Sequence, residues 1–321
     1  MANNPHLYDK LAGNIKNNVA IFNDIAIKRI KEPPYDYDLM ITLDSDNCHS
    51  YLRQIYKQNM NGKTLNLYSP ERFSEKIQWL KLYDNLPEKS TLTDKLKVRD
   101  YVKEKIGEQY LKPVLQVANS FDEIDFNSLP ETFVMKCTHG SKWQNIVKSK
   151  KGLLEHKVIF DIVHDQFNGW LTHEFMPFSA FEMQYKFIEP KILIEPLLRE
   201  NINEMPAEYE IYCFNGKPKI FQKVRYGQNK EATVYDENFN IMNLKFSSDY
   251  NLKNEEADNY IKEAVELSKK LVGDFKLVRI DWLLYKGQLY FNEMTFTPFS
   301  GFYNFEDDKW DKKLGDLLNL E

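Results

Sequence analysis

The sequence predicts an α+β fold, of two domains or of one domain built of lobes, behind a helical N-terminal region, on three observations. The chain has 321 residues, which at roughly 100 to 200 residues per domain is room for two domains or for one domain built of lobes. Helical patterns run to about residue 105, and short β-rich runs follow from Val114. A further helix and a hairpin then close the chain.

Residues 1–65 are rich in Asn, Asp and Lys, carry one apolar run at 39–43, and read as helical. Ser69, Pro70 and Glu71 form a helix start: Ser can cap free backbone amides, and Pro fits the first helical position. Phe73, Ile77, Leu80 and Leu82 then give one apolar face. A second helix is expected from Thr93 or Asp94 to about Lys105, stopped by Gly107. Strands are expected at 133–137, 145–148, 191–194, 210–214, 220–224 and 232–235, with Asn215-Gly216 as a hairpin turn. Another helix follows from about 255 to 271, with Ala257, Ile261, Ala264, Val265 and Leu271 on one side and Gly273 beyond its end. A short acidic tail ends the chain.

Composition removes several functions. The net charge of −5 gives no electrostatic reason to bind nucleic acid or an anionic membrane. No stretch is apolar enough to span a bilayer, and the first residues lack the apolar core of a secretory signal. Cys48, Cys137 and Cys213 are too few and too scattered for a disulfide framework, so a reducing cytoplasm is the expected location. The 12 glycines are never closer than 11 residues. That spacing excludes a Walker A loop, a dinucleotide fingerprint, a kinase Gly-rich loop and a GxSxG elbow. A nucleotide would have to be held another way.

The final hairpin carries the strongest chemical signal. With a three-residue loop at 286–288, Asp281 faces Glu293, Arg279 faces Thr295, Ile280 faces Met294 and Leu284 faces Tyr290. Carboxylates side by side repel unless a cation lies between them, and magnesium suits such hard oxygen ligands. A solvated face with an arginine offsetting two acids is the plainer reading of the same pattern. The second signal is Phe133–Cys137, an apolar strand interrupted by Lys136 and followed by Thr138, His139, Gly140 and Ser141. The lysine either snorkels from an edge strand or meets an anion, and the small turn could offer amides to phosphate oxygens. The third is 191–198, where Glu195 ends an apolar strand before Pro196 and Leu197. That carboxylate could accept the adenine amino hydrogen while the backbone at Leu197 reads the ring edge; many such glutamates are simply strand ends. A competing signal, Asp44-Ser45-Asp46 after the apolar run, is the metal and sugar-nucleotide pattern of many glycosyltransferases, though Asp and Ser are also turn formers.

In order and spacing, these segments resemble the ATP-grasp superfamily, and within it the TupA-like family associated with teichuronopeptide and capsular polysaccharide synthesis. The resemblance runs from about residue 69 to 320. It is carried by 73–79 (Phe-Ser-Glu-Lys-Ile-Gln-Trp), 92–95 (Leu-Thr-Asp-Lys), Val98-Arg99, 133–141, 213–217, 279–281 and 291–301. It implies a domain at 91–321 behind a region at 1–90, with a small lid lobe at about 110–195 and a larger metal-binding lobe at about 196–321. It implies ATP and Mg2+ as cofactors, with Lys95 and Lys136 on the phosphates and His139, Gly140 and Ser141 as the phosphate loop. Glu195 and Leu197 would take the adenine end and Glu208 the ribose. Asp281, Glu293 and Thr295 would hold metal, and Arg279 would stabilise the transferring phosphoryl group. The chain departs from the family at Gly140-Ser141-Lys142, where a second glycine is usual, and at Glu210, where a lysine is expected.

The resemblance implies an ATP-dependent ligase that phosphorylates a carboxylate and lets an amine displace phosphate. Its carboxylate would be a small or glycan-linked sugar acid. A glycosyltransferase using Asp44 and Asp46, a kinase on the same fold and a partner-binding protein with a degenerate ATP site are the alternatives.

Overall fold

The computed structural model describes residues 45–321 apart from 85–86, 174–179, 200–204 and 228, together with short segments between 15 and 28. Those segments are antiparallel strands β1 (Ile15–Lys16), β2 (Val19–Phe22) and β3 (Ile25–Lys28), where the composition suggests helix. Their alternating Val, Ile and Phe explain the difference, because β-branched and aromatic residues favour a pleated surface. Among the described residues of this region, Ser45–Asn59 is helical. Asp46 therefore lies in a helix rather than in a turn after a strand, and the run at 39–43 with Asp44 lies outside the described residues.

Two sheets, antiparallel but for one short strand, build the rest. The smaller holds β4 (Gln116–Ala118), β5 (Phe133–Cys137), β6 (Gln144–Val147) and β7 (Ile192–Pro196), in the order β4-β7-β5-β6. Strand alternation sends Phe133, Met135, Cys137, Ile192 and Ile194 to one face, where Val163 and Phe167 of the helix Lys157–Thr172 cover them. The same alternation leaves Lys136 and Glu195 together on the other face.

The larger sheet holds β8 (Glu208–Phe214), β9 (Lys217–Tyr226), β10 (Lys230–Tyr235), β11 (Ile241–Met242), β12 (Tyr250–Leu252), β13 (Leu277–Tyr285) and β14 (Gln288–Thr295). Its order is β11-β10-β9-β8-β13-β14, with β12 parallel to β10. The helix Asn259–Leu271 starts where the Asp258 carboxylate accepts from the Ile261 amide at 2.9 Å. It packs Ile261, Ala264, Val265 and Leu271 onto Tyr209, Ile211, Val278, Ile280 and Trp282. Burial of each large apolar side chain contributes about 1.5–3 kcal/mol, so this face anchors the sheet.

The opposite face is divided. Tyr212, Phe214 and Leu277 lie under Phe73, Ile77 and Leu80 of the helix Phe73–Tyr83 and under Leu314 of the helix Lys309–Leu317, the element that replaces the expected acidic tail. The remainder, carrying Glu208, Glu210, Arg279, Asp281 and Glu293, is polar and turned toward the smaller sheet.

Two local departures shape the site. The helix expected from Thr93 or Asp94 to about Lys105 begins only at Val98 and runs to Ile106, and a separate helix, Pro87–Thr93, precedes it. The Asp94 carboxylate keeps the two apart by accepting from the amides of Leu96 (2.9 Å) and Lys97 (3.3 Å). In the final hairpin, the predicted pairs Asp281 with Glu293, Arg279 with Thr295 and Ile280 with Met294 are present. The loop, however, is the two-residue turn Lys286-Gly287 with φ of 49° and 75°, and Tyr285 pairs with Gln288. A bulge between Asp281 and Trp282 reconciles these facts: Trp282 faces Phe291, Leu284 faces Leu289 rather than Tyr290, and Asn292 is the extra residue.

Candidate active site

The break at Asp94 turns Lys95 out of the helix and against the β5–β6 turn. Its amide donates to the Thr138 carbonyl at 3.4 Å, and its ammonium donates to the Gly140 carbonyl. Burial lowers the Lys95 pKa, opposed chiefly by Glu293. In the turn itself, a Cβ on Gly140 would lie 2.5 Å from the Trp143 ring, so only glycine fits there. Lys142 takes the left-handed conformation, φ 63°. His139 is buried, with its Nε2 bonded to the Trp170 carbonyl at 3.0 Å and its ring edge-on to Trp143. Burial lowers its pKa, so the neutral imidazole anchors the turn by donating to that carbonyl. Ser141 is half-buried in the same turn, and Leu197 is half-buried just beyond β7.

The centre of the small-sheet face is a carboxylate ringed by cations. Glu195 Oε2 lies 2.9 Å from Lys136 Nζ and 3.3 Å from Lys112 Nζ, and its Oε1 lies 3.5 Å from Arg99 Nη1. Burial would raise the Glu195 pKa, but Lys112, Lys136 and Arg99 outweigh it and hold the carboxyl at about 2. Lys136 is raised because its pairing with Glu195 exceeds the opposing cost of burial. Lys112 is lowered to about 8 by burial, which Glu195 only partly offsets. Glu195, assigned by its sequence context to an adenine ring, is thus the counter-ion of the neighbouring lysines. Lys95, Arg99, Lys112, Lys136, Glu195 and Asn292 line one cleft, an excess of three positive charges at neutral pH.

Opposite lies the polar face of the large sheet. Arg279 grips Asp281 with two hydrogen bonds, Nε to Oδ1 at 2.8 Å and Nη2 to Oδ2 at 2.6 Å, and its Nη2 is 3.6 Å from Glu293 Oε1. The Thr295 hydroxyl donates to Glu293 Oε1 at 3.3 Å. Burial raises Glu293, but Lys95, Arg279 and Lys136 prevail, and its carboxyl is held below the usual range. Glu210 pairs with Asp281 across the strands, which makes a row of three carboxylates around one arginine. Behind the row, Glu208 accepts from Tyr226 OH at 2.7 Å and from Asn292 Nδ2 at 3.3 Å. Burial and then Glu210 push Glu208 up to about 7.

The residues that the resemblance singled out are therefore gathered on two facing surfaces, apart from the side chain of His139, which faces Trp170; the competing Asp46 lies in the helix Ser45–Asn59. Sequence reasoning missed Lys112, Asn292 and Tyr226 and gave Arg99 no role. Among the described residues no group of three or more His, Cys, Asp or Glu is poised around a metal, and the Arg279 fork is bonded to both Asp281 oxygens. The oxygen donors of Asp281, Glu293 and Thr295 nonetheless have the hard chemistry that a magnesium ion requires.

Two largely antiparallel sheets, one bearing a lysine-lined face with its turn and the other an acid–arginine hairpin, define an ATP-grasp fold. The chain belongs to the TupA-like ATP-grasp family, whose model matches residues 75–319. A search of curated protein sequences gave no match. Similar solved structures include the D-alanine–D-alanine ligase of Bacillus anthracis complexed with ATP, at 14% identity and a TM-score of 0.37 over 64% of this chain. The chain spans 53% of that ligase's length. Another is the D-alanine–D-alanine ligase of Helicobacter pylori, at 19% identity and a TM-score of 0.41, covering 78% of this chain and 70% of the other. A third is the ATP-grasp ligase PsnB complexed with its precursor peptide PsnA2 and AMPPNP, at 13% identity and a TM-score of 0.38, covering 93% of this chain and 82% of the other. Among the described residues no helix is long and apolar enough to cross a membrane.

Proposed function

We propose that the chain is an ATP-dependent ligase that joins a carboxylate to an amine through an acyl phosphate, the carboxylate belonging to a sugar acid of surface-polysaccharide synthesis. The observation that carries this reading is the cleft itself. Three cations, Arg99, Lys112 and Lys136, share one carboxylate and Lys95 lines the same cleft, so the cleft suits a polyanion, and the arginine–carboxylate row directly opposite suits phosphoryl transfer. The sugar acid follows from the family's association with polysaccharide synthesis.

A carboxylate resists attack because its charge and resonance repel an amine. Phosphorylation converts one oxygen into a leaving group. In this reading Lys95 and Lys136 hold the nucleotide phosphates, and the tether of Lys95 to Gly140 draws the β5–β6 turn over them. Arg279, kept charged by Asp281 and Glu210, neutralises the transferring group. Asp281, Glu293 and Thr295 would hold magnesium, which when bound supplies charge neutralisation along the phosphate oxygens. The amine then attacks the acyl carbon and phosphate departs.

Incubation with Mg-ATP and candidate uronic acids should yield ADP and phosphate only when a carboxylate substrate is present. Hydroxylamine in place of the amine should trap the acyl phosphate as a hydroxamate. AMP formation, or UDP release from a sugar nucleotide without ATP consumption, contradicts the reading; a stable phosphorylated product makes the protein a kinase instead.

A further inference from the structure

Lys112 differs from the other cleft cations in what it joins. It lies between the strand-bearing parts of the two lobes, in the linker before β4, and is 4% exposed. Its ammonium reaches Glu195 of β7 on the small sheet at 3.3 Å and donates to Asn292 Oδ1 of β14 on the large sheet at 3.0 Å. Asn292 passes the connection on through Nδ2 to Glu208 of β8, 3.3 Å away, which in turn accepts from Tyr226 of β9. An unbroken chain of polar contacts therefore crosses the cleft.

The hairpin is bent to allow this. Asn292 is the residue inserted by the bulge, and a bulge locally disrupts the strand ladder in order to re-aim a side chain. Asp281 with Glu293 on one side and Trp282 with Phe291 on the other would be consecutive pairs without it. What the bulge adds is one side chain, with one end on Lys112 and the other on Glu208.

We propose that Lys112 and Asn292 are positioning residues that tie the two sheets at the spacing a nucleotide needs, and that they set nucleotide affinity as a unit. Resting on the ATP-dependent reading above, the proposal adds the element that fixes cleft width. Lys112 also shares Glu195 with Lys136, so its hold on that carboxylate leaves Lys136 freer to meet a phosphate.

The test uses the full chain carrying Lys112→Met, Asn292→Leu, or both. Calorimetry with Mg-ATP should show each single change weakening affinity about 10-fold or more. The double change should be within about threefold of the weaker single, because cutting either end breaks the same tie. The KM for ATP should rise by the same factor, with a much smaller loss in kcat. A second arm needs no nucleotide: spin labels at the exposed positions Lys151 and Lys230, one on each lobe, should report a broader distance distribution in all three variants than in the parent. Multiplicative losses in the double variant, or a kcat collapse at unchanged affinity, overturn the proposal. If the parent chain binds no Mg-ATP, the ATP-dependent reading fails and the label arm alone decides: broadening supports the tie, and an unchanged distribution refutes it.

Discussion

Glu195 and Glu208 belong to one cleft yet are held at opposite ends of the carboxylate range, and the sign of each can be measured. Glu195 is held at about 2 by its three cations, below its unfolded value of roughly 4.3. Its contribution is therefore present above that unfolded value and is lost as the pH falls toward 2, worth about 3 kcal/mol at neutral pH. Glu195→Gln also leaves buried lysines without their anion, a loss of about 3–5 kcal/mol. Urea unfolding at pH 7 should show a deficit of that order against the parent, shrinking only below about pH 4. Glu208 behaves in the other sense. Raised to about 7 by burial and Glu210, it favours the folded state fully at low pH and less as the pH climbs from about 4 through 7. Glu208→Gln should flatten the stability profile across that window, and a profile unchanged from the parent would refute the assignment. None of this was legible in the sequence beyond the presence of the acids, since Lys112 approaches Glu195 from 83 positions away and looks, before Pro113, like an ordinary linker lysine.

At the scale of elements, the final hairpin shows both what alternation reveals and where it stops. Pairing hydrophobic faces placed Asp281 opposite Glu293 and Arg279 opposite Thr295, because a one-residue slip would have mixed polar with core positions. The same logic assumed one unbroken ladder and so lengthened the loop by a residue. The bulge was nonetheless written in β14: the core residues Leu289, Phe291, Met294 and Phe296 step by two, three and two, and the step of three brackets Asn292. Deleting Asn292 should restore a regular ladder with both flanking pairs intact. The deletion variant is expected to keep its circular dichroism and to melt within about 5 °C of the parent, while losing most of its Mg-ATP affinity. Unfolding on deletion would show that the bulge serves the sheet rather than the cleft. Helix Lys157–Thr172 escaped notice for the opposite reason. Val158, Ile159 and Ile162 are exposed while Val163 and Phe167 are buried, so its apolar residues mark no single face.

For the whole molecule the contrast is between a chain of net charge −5 and a cleft lined by Lys95, Arg99, Lys112 and Lys136 against Glu195 alone. Confining like charges in a partly desolvated space costs free energy, and a polyanion entering it relieves the repulsion at several points at once. Anion valence should then govern stabilisation. Tripolyphosphate at about 100 times its Kd should add about 2.7 kcal/mol to unfolding free energy by mass action, whereas equimolar inorganic phosphate, having fewer charges to place, should add much less. The shift should shrink as ionic strength rises, because salt screens the partly exposed members of the set. Lys136→Met should reduce tripolyphosphate affinity by roughly 10- to 150-fold, the equivalent of one charge-assisted contact of about 1.5–3 kcal/mol. Thermal unfolding across phosphate, pyrophosphate and tripolyphosphate in the parent and in Lys136→Met checks both statements. Equal shifts for all three anions, or a parent-like response in the variant, would mean that Glu195 already neutralises these cations and that a nucleotide's phosphates bind elsewhere.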